Sequence, residues 1–180
     1  MRLLGGGSGG VGGGRDDVWV ASLLDDIGAS ANWMASALGS SGYRADFSPS
    51  SLREVERFMA EHSNAGAAVD GGLLASGLGA RLFGLGCYVG ETIRRGLGGV
   101  WDADDADPAG EINVTLRLSD QSVIWPVQRV IKRFHNGPEG SIVAYALFLG
   151  LDLQTCNPPP GPNSPAPAGP KRRRGLFRRR

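Results

Sequence analysis

Apolar residues at helical spacing predict a first helix near the N-terminus. Its apolar stripe consists of Trp19, Leu23, Ile27, Met34 and Leu38. Such a stripe is typical of a helix that buries one face against a core. We expect Asp16 or Asp17 to cap this helix, because a carboxylate at that position accepts hydrogen bonds from unpaired backbone N–H groups.

A second helix is predicted to open at Ser48-Pro49. Its buried face consists of Leu52, Val55 and Phe58. Ser51 and Glu54 lie three residues apart, which is the spacing of a capping box. Residues 63–72 are rich in glycine and alanine and are expected to form a loop.

The most apolar run of the chain, residues 73–93, predicts a buried central helix. Glycine is unfavourable inside helices. Gly86 and Gly90 nevertheless lie four residues apart in this run, so we expect another backbone to pack closely against them. Arg81 and Glu91 interrupt the run and make it too polar for a membrane span.

Residues 111–118 alternate strictly between apolar and polar, which predicts a half-buried strand. Its inward positions would be Ile112, Val114, Leu116 and Leu118. A turn at 119–122 and a return strand at 123–125 would complete a small antiparallel sheet. Trp101 and Trp125 are expected in the core.

Pro126 suits the first turn of another helix. The apolar face of that helix consists of Val127, Val130, Ile131 and Phe134. Asn136-Gly137 would end it, and Pro138 would open a last helix that runs to about Gly150. Because this last segment is apolar almost all round, we expect it to be buried.

These elements predict an α+β fold with two N-terminal helices, a glycine-rich central helix, a small antiparallel sheet, two C-terminal helices and disordered termini. The domain organisation has four parts. They are a flexible glycine-rich leader (1–15), a single α+β domain (16–155), a proline-rich linker (156–170) and a basic tail (171–180). The predicted domain is long enough to bury one hydrophobic core.

Three motifs in the middle half of the chain resemble a family of small bacterial proteins of unknown function. They are Tyr-x-Gly-Glu at 88–91, Gly-Gly-x-Trp at 98–101 and Trp-Pro-Val-x-Arg-Val-x-Lys-Arg-x-x-Asn-Gly at 125–137. The chain departs from the family after Asn-Gly, where a single acidic residue, Glu139, replaces an acidic stretch. The resemblance supports the α+β fold and implies no activity.

Charge is segregated along the chain. Residues 1–170 hold 12 basic and 18 acidic residues, a net charge of −6, whereas the tail holds seven basic residues and no acidic one. The basic residues of the tail are Lys171, Arg172, Arg173, Arg174, Arg178, Arg179 and Arg180. We expect the tail to bind nucleic acid or an anionic membrane. A third target is the chain's own acidic loop, at Asp102, Asp104, Asp105 and Asp107.

Familiar catalytic and metal-binding patterns do not occur in the sequence. It has no P-loop, no Gly-x-Ser-x-Gly and no set of histidines, cysteines and carboxylates at zinc spacing, so we predict no metal and no cofactor. Cys87 and Cys156 form no metal-spaced pair. We expect both to be reduced in a cytoplasmic protein.

Glu91 is the strongest single candidate for a functional side chain, because a carboxylate inside an apolar helix is costly unless it is paired. A structural ion pair with a nearby basic residue is one interpretation, and an acid in a cleft is the other. If the central helix lies beside the helix that begins at Pro126, their basic residues would form one patch. It would consist of Arg94, Arg95, Arg129, Lys132 and Arg133. The alternative is an ordinary solvated helix face.

Three functions are compatible with these features. The first is a non-catalytic protein-binding or regulatory module with an unknown protein partner. The second is a protein tethered to nucleic acid or an anionic membrane by its tail. The third is an enzyme that uses Glu91 in a cleft.

Overall fold

A computed structural model of the protein describes residues 22–154. The predictions for the leader, the linker, the tail and the disorder of the termini fall on residues outside this range. The first helix, α1 (Leu23–Ser40), is capped by Ser22, which forms a capping box with Asp25. Ser22 thus satisfies the first free N–H groups of α1, the role that the sequence analysis gave to Asp16 or Asp17. Asp16, Asp17 and Trp19 lie outside the described residues.

The second helix, α2 (Leu52–His62), follows a 3₁₀ turn at Pro49–Ser51. The predicted capping box does not form, because the Ser51 side chain donates to the Ser48 carbonyl and shares a hydrogen bond with the Tyr88 hydroxyl. The predicted buried face is confirmed, since Leu52, Val55 and Phe58 are all buried.

A two-residue hairpin, β1 (Ser63–Asn64) and β2 (Ala67–Ala68), lies within the predicted loop. It is followed by the central helix α3 (Leu78–Leu97), which packs against α1. The expected close approach of another backbone is confirmed for Gly86 but not for Gly90, which is approached by a side chain. A Cβ on Gly86 would lie 2.5 Å from the Cα of Val127, and one on Gly90 would lie 2.1 Å from the ring of Trp101.

Three strands form an antiparallel sheet in the order β3-β4-β5, namely β3 (Val100–Asp102), β4 (Thr115–Arg117) and β5 (Val123–Ile124). The register places Leu116 opposite both Trp101 and Ile124. This confirms an α+β fold with a small antiparallel sheet. Leu116 is fully buried, so its side of the sheet faces the core.

The first half of the predicted strand at 111–118 is instead a short helix, α4 (Gly110–Asn113). Asp107 accepts hydrogen bonds from the backbone of Ala109 and the side chain of Asn113, and these local bonds stabilise a helical turn. Ile112 consequently points outward and is 47% exposed, whereas Val114, two residues later, is buried.

Two helices complete the structure, α5 (Pro126–Asn136) and α6 (Ile142–Phe148), with a 3₁₀ turn at Gly137–Gly140 between them. The expectation that the last helix is buried almost all round is wrong, since Leu147 is 53% and Phe148 86% exposed, although Ile142 and Ala146 are buried. Trp125, expected in the core, is 44% exposed at the start of α5.

No helix within residues 22–154 has both the length and the apolar character needed to cross a bilayer. The core instead forms around α3, which packs against α1 on one side and α5 on another. Its largest buried side chains include Tyr88, Phe134 and Leu85. The buried Tyr88 hydroxyl accepts the Phe47 N–H, so it joins α3 to the segment that precedes α2.

Candidate functional site

A groove of about 490 Å³ lies between α1, the C-terminal half of α3 and β3. We call it the α1–α3 groove. Its lining residues are Leu24, Ile27, Gly28, Ala31, Asn32, Glu91, Arg94, Arg95, Gly99, Val100 and Trp101. The groove thus combines an apolar wall with three charged side chains from one helix.

The charged wall of the groove is a compact ion-pair cluster centred on Glu91. The Glu91 carboxylate accepts two hydrogen bonds from Arg94, at 2.7 and 2.9 Å, and one from the Arg95 Nε, at 2.8 Å. The Trp101 indole N–H donates to it at 3.5 Å. The sequence analysis left two interpretations of Glu91, a structural ion pair and an acid in a cleft. The structure contains the ion pair, and its partners lie at i+3 and i+4 within α3.

Glu91 is held in its ionised form. Burial by itself would raise the pKa of its carboxyl, but the hydrogen bonds from Arg94 and Arg95 outweigh burial and lower this pKa to about 2. The side chain of Glu91 is only 14% exposed, whereas those of Arg94 and Arg95 are 38% and 33% exposed. Both guanidinium groups therefore remain accessible from the groove while their Nε atoms bind Glu91.

The Glu91 ion pair should make stability depend on pH in a defined window. The folded state lowers the Glu91 pKa from 4.5 to about 2, so this contribution is fully present above pH 4.5 and is lost as the pH falls towards 2. We expect Glu91→Gln to lower the free energy of unfolding by about 1–2 kcal/mol near pH 7. The loss is modest because the arginines are partly exposed and salt bridges weaken with exposure to solvent. Thermal unfolding of both proteins between pH 7 and pH 2 measures the effect.

Under the same conditions, the melting-temperature difference between the wild type and Glu91→Gln should shrink at low pH. Glu139→Gln is a suitable control, since Glu139 is exposed. A difference for Glu91→Gln that stays constant down to pH 2 would show that its carboxylate does not carry the interaction.

The apolar part of the groove is unusually open. Val100 is 72% and Leu24 47% exposed, and both line the groove together with the half-buried Trp101. Arg95 is also held on its other side, since its guanidinium lies over the Phe47 ring at 3.9 Å from the centroid. The groove therefore presents apolar side chains next to cations whose positions are already restricted.

The predicted basic patch does not form from all five residues that the sequence suggested. Arg133 is 3% exposed and forms an ion pair with Glu56 of α2, so it is absent from the surface. Arg129 and Lys132 instead line a separate small pocket with Trp125 and Tyr145. Arg94 and Arg95 are the two cations of the predicted patch that reach the α1–α3 groove.

The Arg133–Glu56 pair is a feature that the sequence analysis missed. Glu56 also accepts the Ile142 N–H at 2.9 Å, so this one carboxylate joins α2 to α5 and to the start of α6. The sequence contained an indication of this pair. Glu56 lies four residues after Leu52 and three before Met59, and both of these residues are fully buried. That spacing places Glu56 at the border of the buried face of α2.

A second hydrogen-bonded cluster joins Tyr43, Glu61 and His62. The Tyr43 hydroxyl donates to Glu61 and lies 3.0 Å from the His62 Nε2, while the His62 Nδ1 accepts the Leu73 N–H. Burial, together with the hydrogen bond to the Glu61 carboxylate, raises the pKa of Tyr43 to about 12. This cluster connects the end of α2 to its neighbouring segments and opens into none of the grooves described above.

Cys87 has no environment that would activate it as a nucleophile. It is fully buried, and burial raises the pKa of its thiol to about 12. Cys156 lies beyond the described range. Between residues 22 and 154, no group of three or more histidine, cysteine or carboxylate side chains is arranged to hold a metal ion.

Comparison of the chain with protein-family models, with curated proteins and with solved structures finds no match. The resemblance to a family of small bacterial proteins, which rests on the motifs at 88–91, 98–101 and 125–137, therefore stays a prediction. In the structure these motifs contribute Glu91 and Trp101 to the α1–α3 groove, and Trp125, Arg129 and Lys132 to the small pocket.

Proposed function

We propose that residues 22–154 form a non-catalytic protein-binding module that holds a segment of a partner protein in the α1–α3 groove. The observation that carries the proposal is the exposure of Val100 and Leu24 beside the fixed guanidinium groups of Arg94 and Arg95. Exposed apolar groups next to restricted arginines are typical of binding surfaces, because their ordering costs little on association.

The chemistry of the groove selects the kind of segment that fits. Glu91, Arg94 and Arg95 sum to one net positive charge. The opposite wall, from α1, is mostly apolar and consists of Leu24, Ile27, Gly28, Ala31 and the polar Asn32. A chain segment with a carboxylate next to apolar side chains would complement both walls.

An enzyme that uses Glu91 is less well supported. A general acid at neutral pH needs a raised pKa, whereas the pKa of Glu91 is lowered to about 2. Its carboxylate is also already occupied by Arg94, Arg95 and Trp101. The groove is concave, as an active site would be, but its one carboxylate is committed to holding the two arginines.

A larger side chain on α1 that fills the groove should weaken binding and leave the fold intact. Gly28 lies within α1 and lines the groove, and a Cβ there would meet no atom within 4 Å. Gly28→Leu should therefore weaken binding at least tenfold, because the new side chain occupies the partner's place. The probe is a set of peptides selected for binding to the full chain from a random display library, and their affinities can be measured by calorimetry.

Gly39→Leu is the matched control, since Gly39 lies on the same helix, has no atom within 4 Å of an added Cβ and does not line the groove. It should leave the affinities unchanged. Selected peptides are expected to carry acidic residues beside apolar ones. Equal affinities for the wild type and Gly28→Leu would contradict the groove as the binding site.

A second role is proposed for the basic tail as an electrostatic tether. The supporting observation is the contrast between seven basic residues in 171–180 and a net charge of −6 over residues 1–170. Asp104, Asp105 and Asp107 line one further groove with Asp26 and Glu111, which offers the tail an internal alternative to external polyanions. The two roles are compatible, because they use different parts of the chain.

Removing residues 171–180 should abolish binding to duplex DNA. The full chain should bind with an affinity that falls steeply with salt, by about 0.9 log units per log unit of salt for each phosphate contacted. Vesicles with anionic headgroups test the membrane alternative, in which Leu176 and Phe177 would preserve some binding at high salt. Chemical shifts at residues 102–107 that depend on the tail would indicate internal docking, and no change in any assay would refute the tether.

A further inference from the structure

A small pocket of about 100 Å³ lies between α5 and α6, away from the α1–α3 groove. Its lining residues are Trp125, Gln128, Arg129, Lys132 and Tyr145. The first four occur at i, i+3, i+4 and i+7 at the start of α5 and along it, so they share one side of the helix. Tyr145 completes the pocket from α6. We call it the α5–α6 pocket.

The α5–α6 pocket holds two positive charges that no carboxylate in residues 22–154 neutralises. Arg44, Arg57, Arg94, Arg95 and Arg133 each form an ion pair with an acidic side chain. Arg129 and Lys132 form none with the described acidic residues, which is also true of Arg53, Arg81 and Arg117. Arg129 and Lys132 differ from these three because they lie together in one pocket. An anion is therefore the charge partner that these two side chains lack.

Two contacts hold Arg129 in place at the pocket. Its Nη2 donates to the Ser141 carbonyl at 2.8 Å, and its guanidinium lies 4.6 Å from the centroid of the Tyr145 ring. Its Nε is buried and has no acceptor within the described part of the chain. A buried donor without an acceptor is unusual in folded proteins and leaves the charge of the guanidinium poorly compensated.

We propose that the α5–α6 pocket binds a phosphomonoester. At neutral pH this group carries a charge of about −1.5 to −2, which matches the two cations, and it presents three oxygens to the donors of Arg129, Lys132 and Gln128. The volume of about 100 Å³ suits one such group and not a whole nucleotide. Trp125 is 44% exposed at the edge of the pocket and can pack against the apolar group that carries the phosphate.

The phosphomonoester proposal is tested by nuclear magnetic resonance of the full chain, which separates the pocket from the basic tail residue by residue. The signals to follow are the Trp125 indole N–H, the Gln128 side-chain amide and the Arg129 Nε–H. The probes are inorganic phosphate, phenyl phosphate and phenyl sulfate. Phenyl phosphate should bind most tightly, because it alone offers both a dianion and a ring. Phenyl sulfate, a monoanion, should bind at least about tenfold more weakly.

Lys132→Gln should weaken phenyl phosphate binding by about tenfold, as expected for the loss of one charge-assisted hydrogen bond. Lys132 is exposed, so this change should not disturb the fold. Arg53→Gln, at an exposed cation of α2 outside the pocket, is the matched control and should leave the affinity unchanged. Since Arg129 also contacts Ser141 and Tyr145, Arg129→Lys with a melting-temperature check is a secondary variant.

The proposal would be overturned by shifts confined to residues 171–180, by equal affinities for phenyl phosphate and phenyl sulfate, or by an unchanged affinity in Lys132→Gln. The source of the phosphate is distinguished by a phosphotyrosine peptide. Tighter binding of this peptide than of phenyl phosphate would identify a modified protein side chain as the ligand. Equal binding would identify a small phosphorylated molecule.

Discussion

Glu56→Gln is expected to destabilise the protein by about 3–5 kcal/mol, which corresponds to a fall in melting temperature of roughly 10 °C or more. Glutamine preserves the size of the side chain and its ability to accept the Ile142 N–H. It removes the negative charge that faces Arg133, whose side chain is 3% exposed. The cost arises because an arginine cannot release its proton and would remain charged without a partner in a dry environment.

Glu54→Gln is the matched control on the same helix. Glu54 pairs with Arg57, whose side chain is 48% exposed, so Glu54→Gln should destabilise the protein much less than Glu56→Gln. Chemical denaturation of both variants gives the comparison directly. If Glu56→Gln and Glu54→Gln lowered the free energy of unfolding equally, Arg133 would have to be solvated in the native state. The double variant Glu56→Leu/Arg133→Met should be more stable than Glu56→Gln alone, since no buried charge is left unpaired.

Gly86→Ala is expected to destabilise the protein by about 1–3 kcal/mol, although alanine is the better helix former. The new Cβ would lie 2.5 Å from the Cα of Val127, so two backbones would have to separate. The contact between α3 and α5 is part of the centre of the core, and the displaced helix would loosen the packing around Val127, which is 1% exposed. Thermal unfolding measures the loss.

Gly79→Ala is the control for Gly86→Ala, since both glycines lie on α3 and a Cβ on Gly79 would meet nothing within 4 Å. It should stabilise the protein by about 0.4–1 kcal/mol, because alanine has less conformational freedom to lose on folding. The two glycine-to-alanine substitutions in α3 should thus change the free energy of unfolding in opposite directions. The same sign for both would mean that helix propensity, and not the approach of α5, decides the outcome.

Interactions between residues close in the chain could be predicted from the sequence. The spacing of Glu91, Arg94 and Arg95 predicted an ion pair that the structure contains. Two glycines four residues apart predicted a close backbone contact, which Gly86 makes with Val127. In each case the pattern depends on the geometry of a single helix, and this geometry is the same wherever the helix lies in the fold.

Features that depend on competing local interactions were predicted less well. The alternation at 111–118 suits a strand, but Asp107 forms hydrogen bonds that close a helical turn over its first half. Ile112 is therefore exposed, although Val114 and Leu116 are buried as expected. Periodicity shows which residues are apolar. It does not show whether local side-chain hydrogen bonds will stabilise a helical turn in place of a strand in a segment this short.

The sequence by itself determined the α+β class, the buried face of α2, the contact of Gly86 in α3 with another backbone and the segregation of charge between residues 1–170 and the tail. Only the tertiary structure decided that Arg133 pairs with Glu56, 77 residues away, and that Arg129 and Lys132 share a pocket without a carboxylate. Which charges meet and which apolar side chains stay uncovered depends on how the helices pack. A sequence pattern defines the faces of each helix, whereas the partner of each face is chosen by the packing of the whole core.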